Sequence, residues 1–405
     1  YDKKARPYLY ITVLKEEIGE KIEFLKAKVF GEEEYKIHKI EKTDKTMFNL
    51  PILKIYFNKA SELFHARKEF NELGLQKYEY DIPYHKKYLI DNDLEPGQRV
   101  LIEKEGNELK TIKKTTGEFD AKLGAYDLET LFTDKFEVGR EPILMASISK
   151  AADKKYKSRI ISYNTAKVND LDIVTNEEAL LFELNKEINE LDLIVTYNGD
   201  NFDMPYVKKR SDRFKKDFLI NDAKIKMKRH GLDNAAELKG KQHIDAYQIM
   251  KFLQRTGSVN ILKLDLENVS DKVFGIKKEK VLPIEINEAW QTRDAKKLDR
   301  LVRYNREDAE TTLRLAQEFL PLFIEISRLT SQTLANSTRA STSVMVEDLL
   351  LKEISKRGII APNKPYEPLI RERLNNPIKG AFVKEPLAGL HENITVLDFA
   401  SLYPS

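Results

Sequence analysis

The segment DLIVTYNGDNFDMPY (Asp192–Tyr206) decides how the middle of this chain folds. It opens with a short apolar run, DLIVTYN, which is typical of a buried strand. A Gly-Asp-Asn turn sequence follows, and Asp203 comes directly after Phe202. Because α/β folds place functional groups at strand ends beside such turns, the segment predicts a buried strand that delivers Asp203 to a cleft.

Strand and helix patterns alternate on both sides of this segment. KLGAYDLET (122–130) and EPILMASISKA (141–151) have the composition of strands. NEEALLFELNKEINEL (176–191) has the apolar spacing of an amphipathic helix with an asparagine N-cap. The alternation continues to about Leu320, which indicates an α/β domain.

The N-terminal part of the chain lacks this regular alternation and combines strand patterns, a helix pattern and a turn-rich connector. ARPYLYITVL (5–14) and NLPILKIYF (49–57) alternate like strands, and KASELFHARKEFNEL (59–73) is spaced like a helix that Gly74 would stop. The turn-rich stretch Asp91–Glu118 favours a connector that contains a hairpin. These patterns predict an α+β N-terminal domain.

The C-terminal part begins with helix and is expected to end with strands. Beyond Pro321 the pattern is helical through LLLKEISKRG (349–358). GAFVKEP (380–386) and ENITVLDF (392–399) then predict two strands.

The composition limits the classes of function. The 405 residues carry 69 basic and 66 acidic side chains, a net charge of +3, so a nucleic-acid surface would have to come from local basic patches. There is no cysteine, which excludes disulfides, thiolate nucleophiles and cysteine-bound zinc and fits a reducing interior. No apolar run approaches the ~18 residues of a membrane span. We therefore expect a cytoplasmic protein without membrane contacts.

Four carboxylates and one tyrosine lie in settings that can bring them together. Asp127 and Glu129 are two apart on a predicted strand, so both face one side of it. Tyr304 and Asp308 are four apart on a predicted helix and share one helix face. With Asp203 at the end of the buried strand, these five side chains can line one pocket.

This set of side chains suits two-metal phosphodiester hydrolysis. Carboxylate oxygens are hard ligands that prefer Mg²⁺ or Mn²⁺. Two such ions clamp the attacking and leaving oxygens of an in-line displacement, and a tyrosine hydroxyl can orient the attacking water. Each motif alone is common, since Asp-x-Glu marks many solvated strand edges and Tyr-x-x-x-Asp occurs on many helices. The three motifs together, in this order, favour a metal site.

The three segments resemble the exonuclease motifs of family B DNA polymerases. The closing segment LDFASLYPS (397–405) resembles the first palm motif of that family, and RPYLY, YDIPYHKKYLID, SRLTSQTL and GAFVKEP resemble its archaeal members. The resemblance runs from about Arg6 to Ser405. It implies a multidomain α/β and α+β fold with four parts: an N-terminal α+β domain (1–116), a ribonuclease-H-like 3′→5′ exonuclease domain (117–319), a helical return segment that packs with the N-terminal domain (320–361) and the start of a truncated palm (362–405).

The resemblance implies roles for the exonuclease residues. Asp127, Glu129, Asp203 and Asp308 would hold two Mg²⁺ ions, with Mn²⁺ as an alternative. Tyr304 would position the attacking water.

It also implies roles for the palm residues. Asp398 and the backbone carbonyl of Phe399 would bind catalytic metal. Ser401 and Leu402 would bind the incoming nucleotide through backbone amides, and Tyr403 would be the gate that excludes a 2′-hydroxyl.

Further residues are expected to contact DNA. The residues expected at the unpaired 3′ end are Thr130, Leu131, Asn198 and Phe202. The expected contacts to the DNA backbone are Arg328, Arg339 and Lys384. Part of a pocket for template uracil, known in archaeal relatives, is matched by Pro7, Pro83 and Tyr84.

Other conspicuous residues have plainer interpretations. His243 and Asp245 in QHIDAYQIM are interpreted as a structural pair rather than metal ligands. The basic run Lys208–Lys216 is interpreted as the solvated face of a helix, with a phosphate track as the alternative. Residues 378–381 (IKGA) depart from the family's Tyr-x-Gly-Gly loop, which leaves the balance of synthesis and proofreading open.

The sequence therefore predicts the N-terminal part of a nucleoid-associated family B DNA polymerase with a 3′→5′ proofreading exonuclease. Expected partners are primer–template DNA, single-stranded 3′ ends, deoxynucleoside triphosphates, the C-terminal palm, fingers and thumb, and a sliding clamp. We expect a truncated or split piece that excises 3′ nucleotides but extends no primer, because one palm carboxylate cannot hold both polymerase metals. The alternatives are a free-standing exonuclease, against which LDFASLYPS argues, and a non-catalytic DNA-binding scaffold, against which the four intact acids argue.

Overall fold

A computed structural model describes residues 2, 5–31, 34–117, 120–152, 155–230, 233–377, 380, 382 and 384–397. They fall into two compact units, Tyr1–Ala361 and Pro362–Ser405. The strands are β1 (Tyr8–Thr12), β2 (Lys39–Met47), β3 (Leu50–Tyr56), β4 (Lys77–Tyr78), β5 (Val100–Glu105), β6 (Glu108–Lys114), β7 (Leu123–Thr130), β8 (Ile143–Ala152), β9 (Lys155–Ser162), β10 (Asp172–Ile173), β11 (Leu193–Thr196), β12 (Leu219–Ile220), β13 (Ala223–Lys224), β14 (Lys226–His230), β15 (Asp233–Glu237) and β16 (Gln242–Asp245). The α-helices are α1 (Ile18–Ala27), α2 (Ala60–Glu72), α3 (Tyr84–Asp91), α4 (Glu177–Asn189), α5 (Asp203–Arg213), α6 (Ala246–Arg255), α7 (Leu266–Phe274), α8 (Pro283–Thr292), α9 (Ala295–Thr330), α10 (Leu334–Ser337), α11 (Thr342–Lys356) and α12 (Glu367–Asn375).

The first unit begins with a four-stranded antiparallel sheet in the order β2-β3-β1-β4. Alternation along β1 gives this sheet two apolar faces. Leu9 and Ile11 enter the core under α1 and α2, whereas Tyr8 and Tyr10 face the other side and meet Ile360. The predicted N-terminal strands and helix are confirmed as β1, β3 and α2.

The chain returns to this sheet after α9. Asp348 of α11 accepts a hydrogen bond from Lys86 of α3, and Lys352 lies 3.5 Å from Glu95. Ile360 then packs on the aromatic face of the sheet. The helical segment after α9 is therefore anchored on the N-terminal sheet.

A six-stranded sheet, in the order β10-β9-β8-β7-β11-β16, forms the centre of the unit. β7, β8 and β9 are antiparallel, whereas β7, β11 and β16 are parallel. One face packs on α4 and α5, and the other packs on α6, α7, α8 and α9. Because side chains alternate along a strand, Tyr126 and Leu128 enter the first core, and Asp127 and Glu129 face α9.

Three other elements predicted from sequence are confirmed. The connector contains a hairpin, formed by β5 and β6. α4 begins where expected, because the Asn176 side chain accepts a hydrogen bond from the Ala179 amide at 2.9 Å. β11 is buried along its whole length and runs directly into the turn before Asp203.

α9 is the longest helix in the described part of the chain, with 36 residues from Ala295 to Thr330. Asp294 caps its first turn by accepting a hydrogen bond from the Lys297 amide at 3.0 Å. The domain boundary predicted at 319/320 falls inside this helix, which continues through Pro321. Among the described residues, no helix, α9 included, is both long and apolar enough to cross a membrane.

The second unit differs from its sequence-based prediction. It contains α12, but none of the described residues in the segments 380–386 and 392–399 lies in a strand. An alternating apolar pattern becomes a strand only when a neighbouring strand pairs with it. The described residues of this unit contain no such strand, so the two predicted strands are wrong for them.

Candidate active site

Three carboxylates converge between β7 and α9. Asp127 and Glu129 project from the strand, and Asp308 projects from the helix. One oxygen of each carboxylate lies within 4.8 Å of the other two. Glu129 and Asp308 are 6 % and 8 % exposed. Buried acids this close repel one another when ionised, so the arrangement favours protonation or a bound cation.

Asp203 adds a fourth carboxylate from the turn after β11. It is the first residue of α5 and is 2 % exposed. Its Oδ1 atom is buried and has no hydrogen-bond partner in the described part of the chain. Burial and then the charge of Asp127 raise the pKa of Asp203 well above its ordinary value. An orphaned buried carboxylate oxygen is what a metal ligand offers before its cation binds.

The pKa values of the two strand acids show the same deficit of positive charge. Burial and then the charge of Asp127 raise the pKa of Glu129 well above its ordinary value. Burial raises the pKa of Asp127 to about 7, although the Lys278 ammonium and a hydrogen bond from Asn305 Nδ2 at 2.7 Å act against it. A divalent cation would reverse these shifts, because it stabilises the charged carboxylates.

Lys278 is a site residue that sequence reasoning missed. Its buried side chain forms an ion pair with Asp308, and its Nζ lies 5.6 Å from the ring centroid of Tyr304. Burial lowers the pKa of Lys278 to about 8. It sits in the loop between α7 and α8 among several other lysines, so no local pattern distinguishes it.

Tyr304 lies on α9 one turn before Asp308, as predicted. Its hydroxyl donates to Glu267 Oε1 of α7 at 3.4 Å. Burial and then the charge of Glu129 raise the pKa of Tyr304. The hydroxyl therefore stays protonated, and Glu267 is a further acid near the site that the sequence did not reveal.

The turn 198–203 has a conformation that few sequences can adopt. Asn198 has a left-handed backbone with φ of 61°, which asparagine tolerates better than most residues. A Cβ atom at Gly199 would lie 2.0 Å from Thr196 Oγ1, so glycine is required there. Two backbone amides of the turn donate to the Asp245 carboxylate at 2.8 and 3.1 Å.

Two aromatic rings flank the turn. Phe202 stacks on Phe136, with ring centroids 6.0 Å apart and planes at 18°. Phe136, in the loop between β7 and β8, is 64 % exposed and was not among the predicted site residues. Thr130 is half-buried at the end of β7, and Leu131 packs against the core of α8 and α9.

The three predicted contacts to the DNA backbone lie in different settings. Arg328 pairs with Glu325 on the surface of α9, and Lys384 is exposed in the second unit; their DNA contacts stay predictions. Arg339 requires a correction. Its side chain is 4 % exposed and binds both oxygens of Asp200, and a buried guanidinium committed to a carboxylate cannot reach a phosphate.

His243 is structural, as interpreted, but its partner differs. Its Nε2 lies 2.8 Å from Thr196 Oγ1, and its Nδ1 lies 3.3 Å from Asp200 rather than Asp245. Both ring nitrogens are engaged, so the ring is not a free metal ligand.

Three of the six basic side chains in the run Lys208–Lys216 pair with neighbouring acids. Lys208 pairs with Asp212 at 3.1 Å, and Lys216 lies 3.6 Å from Glu178. Arg210 is buried in an ion pair with Glu177. These pairs agree with the interpretation of a helix face rather than a phosphate track.

The remaining predicted site residues lie elsewhere. Pro7, Pro83 and Tyr84 line one cavity of about 180 Å³ beside the N-terminal sheet. The palm residues lie outside the described residues: Asp398, Phe399, Ser401, Leu402 and Tyr403. Of the variant loop 378–381, only Gly380 is described.

Two family models match the chain. Residues 75–269 match the model for the exonuclease domain of DNA polymerase family B, and residues 332–405 match the model for DNA polymerase family B. The chain belongs to the family B DNA polymerases and contains their exonuclease domain. The predicted fold class, with a ribonuclease-H-like exonuclease domain, is confirmed, and the buried acidic group is compatible with a divalent metal.

Archaeal DNA polymerases are among the relatives of the chain. It is 35 % identical to DNA polymerase 1 of Pyrococcus abyssi and 36 % identical to the DNA polymerase of Thermococcus gorgonarius. Both alignments cover 100 % of this chain and 50 % and 49 % of the respective relative. A structure of the family B DNA polymerase from the hyperthermophilic archaeon Pyrobaculum calidifontis has the same fold, with a TM-score of 0.72 at 22 % identity over 96 % of this chain and 50 % of that one. The chain therefore spans about half the length of the curated relatives it matches.

Proposed function

We propose that this chain supplies the 3′→5′ proofreading exonuclease of a family B DNA polymerase and part of its polymerase site. The observation that carries the proposal is the convergence of Asp127, Glu129 and Asp308 within 4.8 Å, with Asp203 buried beside them. A structural cluster would pair its buried acids with cations or satisfy them with hydrogen bonds. Among the described residues, only Lys278 forms an ion pair with any of these four acids.

The four carboxylates fit a pair of divalent metal ions. The hard oxygens of all four, the raised pKa values of Asp127, Glu129 and Asp203 and the orphaned oxygen of Asp203 suit Mg²⁺, with Mn²⁺ as an alternative. We assign Asp127, Glu129, Asp203 and Asp308 as the ligands. When bound, the ions would supply Lewis-acid stabilisation of the phosphoryl oxygens and an activated water.

The side chains around the acids bind and orient the substrate. The turn 198–203 holds Asn198 and Phe202 in fixed positions, where they would receive the unpaired 3′ end of DNA. The ring of Phe136, already stacked on Phe202, offers an exposed face to a base, and base–aromatic stacking tolerates any sequence. Thr130 and Leu131 would lie under the terminal nucleotide.

Tyr304 and Lys278 are proposed to assist the reaction in different ways, and both do so in their protonated forms. Because the pKa of Tyr304 is raised, its hydroxyl keeps its proton and would orient the attacking water by hydrogen bonding rather than act as a base. Lys278 has a pKa of about 8 and is mainly charged at neutral pH. Its ammonium would stabilise the negative charge that develops on the phosphate.

Membership in the family supports polymerase activity for the complete enzyme. Asp398 and Phe399 would bind catalytic metal there, and Ser401, Leu402 and Tyr403 would bind the incoming deoxynucleoside triphosphate. Primer–template DNA is the proposed substrate. Arg328 and Lys384 would contact its backbone, and the cavity at Pro7, Pro83 and Tyr84 would read the template strand for uracil.

The test is the digestion of a 5′-labelled single-stranded oligonucleotide by the purified chain. We expect Mg²⁺-dependent loss of one 3′ nucleotide at a time, which EDTA stops and Asp203→Ala abolishes. Asp212→Ala is the matched control, because it removes a half-exposed acid from the same helix and should leave digestion unchanged. Digestion by Asp203→Ala at the wild-type rate would overturn the site assignment, and no digestion by the wild type would favour a non-catalytic scaffold.

A further inference from the structure

The turn that carries Asp203 rests on a second buried carboxylate, Asp200, which is 0 % exposed. Arg339 binds it at both oxygens, with Nε 2.6 Å from Oδ2 and Nη2 2.9 Å from Oδ1. The Ala236 amide donates to Oδ1 at 2.8 Å, and His243 Nδ1 lies 3.3 Å away. Asp200 therefore joins the turn to three separate segments of the chain.

Arg339 is committed to this position by its other hydrogen bonds. Nη1 donates to the backbone oxygen of His243 at 3.0 Å and to that of Ala335 at 2.7 Å. Arg339 comes from the loop between α10 and α11, within the region matched by the polymerase model. Asp200 and His243 come from the region matched by the exonuclease model. One buried bidentate pair thus connects the two regions.

The acid of this pair lies in the same short turn as the residues proposed to bind metal and the 3′ end. Asp200 lies two residues after Asn198 and three before Asp203. The turn is short and closed, because the Asn198 carbonyl oxygen accepts hydrogen bonds from the amides of Asn201 and Phe202, each at 3.1 Å. A displacement of Asp200 would therefore move the metal-binding oxygen of Asp203, and a shift of about 1 Å at an active site can cost roughly 10²-fold in rate.

We propose that Arg339 is a positioning residue for the exonuclease. It holds the turn 198–203 in its metal-binding shape and makes 3′ excision depend on the seating of the polymerase-side segment 332–341. This inference rests on the proposed function. It gives Arg339 a role through Asp200 and Asp203, without contact to DNA, and it makes the segment 332–341 a point at which the polymerase region can regulate proofreading.

The test compares two buried arginine–carboxylate pairs in the same unit. Arg339→Lys keeps the positive charge but cannot form the bidentate hydrogen bonds to Asp200. We expect kcat for a single-stranded oligonucleotide to fall about 10–100-fold and the half-saturating Mn²⁺ concentration to rise about tenfold, with KM for the oligonucleotide unchanged. Arg210→Lys is the matched control. It weakens another buried bidentate pair, formed by Arg210 of α5 and Glu177 of α4, about two helical turns away from Asp203. It should lower the melting temperature similarly but leave kcat unchanged.

Each outcome supports or overturns the inference. Wild-type kcat and Mn²⁺ response in Arg339→Lys would overturn it, and so would equal losses of kcat in both variants, since reduced stability would then explain them. If the wild type binds Mn²⁺ but digests nothing, the proposed function fails, and isothermal titration of Mn²⁺ into Arg339→Lys still tests the positioning role. If circular dichroism shows that Arg339→Lys does not fold, Asp200→Asn replaces it in the same comparison.

Discussion

The turn 198–203 lies between two buried sets of charges that are built in opposite ways. The structural set consists of Asp200, His243 and Arg339, and each member has a partner within it. The acidic set consists of Asp127, Glu129, Asp203 and Asp308, and among the described residues Lys278 alone forms an ion pair with it. Only two residues, Asn201 and Phe202, separate the fully paired Asp200 from Asp203 in the sequence.

The two sets differ in pKa for a physical reason. Burial alone would raise the pKa of Asp200, but the hydrogen bonds and charges of His243 and Arg339 outweigh it and hold that pKa below the ordinary value. Burial and like charge raise the pKa of Glu129 and Asp203 instead. The acidic set therefore combines four carboxylates with few positive partners, whereas the single carboxylate of the structural set is fully paired, and perturbed pKa values of the first kind mark candidate functional sites.

The largest expected effect is a loss of folding stability when the structural set loses its arginine. Arg339→Met leaves Asp200 buried and without its main cation, which should lower the free energy of unfolding by about 3–5 kcal/mol. Arg328→Met is the control, because it removes an exposed pair with Glu325 and should cost less than about 1 kcal/mol. Urea denaturation of both variants measures the difference. Equal losses would contradict the distinction between the two sets.

The acidic set should respond in the opposite way. Glu129→Gln resembles the protonated side chain that burial favours without metal, so its free energy of unfolding in EDTA should equal or exceed the wild-type value. Its kcat for 3′ excision should fall about 10²–10³-fold, because a proposed metal ligand is lost, and with it part of the electrostatic stabilisation that the bound ions would supply. Thermal melting in EDTA checks the predicted stability, and oligonucleotide digestion in Mg²⁺ checks the predicted loss of activity. A stability loss as large as that of Arg339→Met would refute the assignment.

The features predicted from sequence are those encoded within a few neighbouring residues. The two-residue spacing of Asp127 and Glu129 and the four-residue spacing of Tyr304 and Asp308 fix which side chains share a face. The position of Asp203 follows from the buried strand before it. These local patterns were sufficient to predict the strand that carries Asp127 and Glu129, the helix that carries Asp308 and the turn that leads to Asp203, but not that Asp203 begins α5.

The features that sequence reasoning missed depend on contacts between distant segments. Lys278 meets Asp308 across 30 positions of sequence, and Arg339 meets Asp200 across 139. Lysine and arginine are abundant in this chain, so nothing local marks these two. For Arg339 the family context predicted a DNA contact, and only the fold reveals that the side chain points inward.

A smaller effect, on DNA binding, is expected from Phe136, the exposed aromatic residue beside the turn. If Phe136 stacks on the terminal base, Phe136→Ala should weaken binding of single-stranded DNA by about 1–3 kcal/mol, which is roughly 5–150-fold in KM, and leave kcat similar. Phe182→Ala is the matched control, since Phe182 is similarly exposed, at 70 %, on α4. Steady-state kinetics on an oligonucleotide measure both. A KM for Phe136→Ala that matches the control would remove the stacking role.

The last expected effect is a pH dependence that separates the two sets. Without metal the pKa of Asp127 is about 7, above the ordinary value of roughly 4. The folded state thus holds this proton more tightly than the unfolded state does. Its contribution to stability is complete below about pH 4 and is lost as the pH rises through 7. The free energy of unfolding in EDTA should therefore fall by roughly 2–3 kcal/mol between pH 5 and pH 8.

The structural set contributes a pH dependence of stability with the opposite sign, so the experiment can separate the two sets. The pKa of Asp200 is lowered, so its contribution is present at neutral pH and is lost only as the pH falls below the ordinary aspartate range. Asp127→Asn should therefore flatten the stability profile between pH 5 and pH 8 and leave the acid limb in place. Saturating Mg²⁺ should flatten the same region in the wild type, because a bound cation keeps the carboxylates ionised. A slope that survives in both cases would mean that the proton is held outside the acidic set.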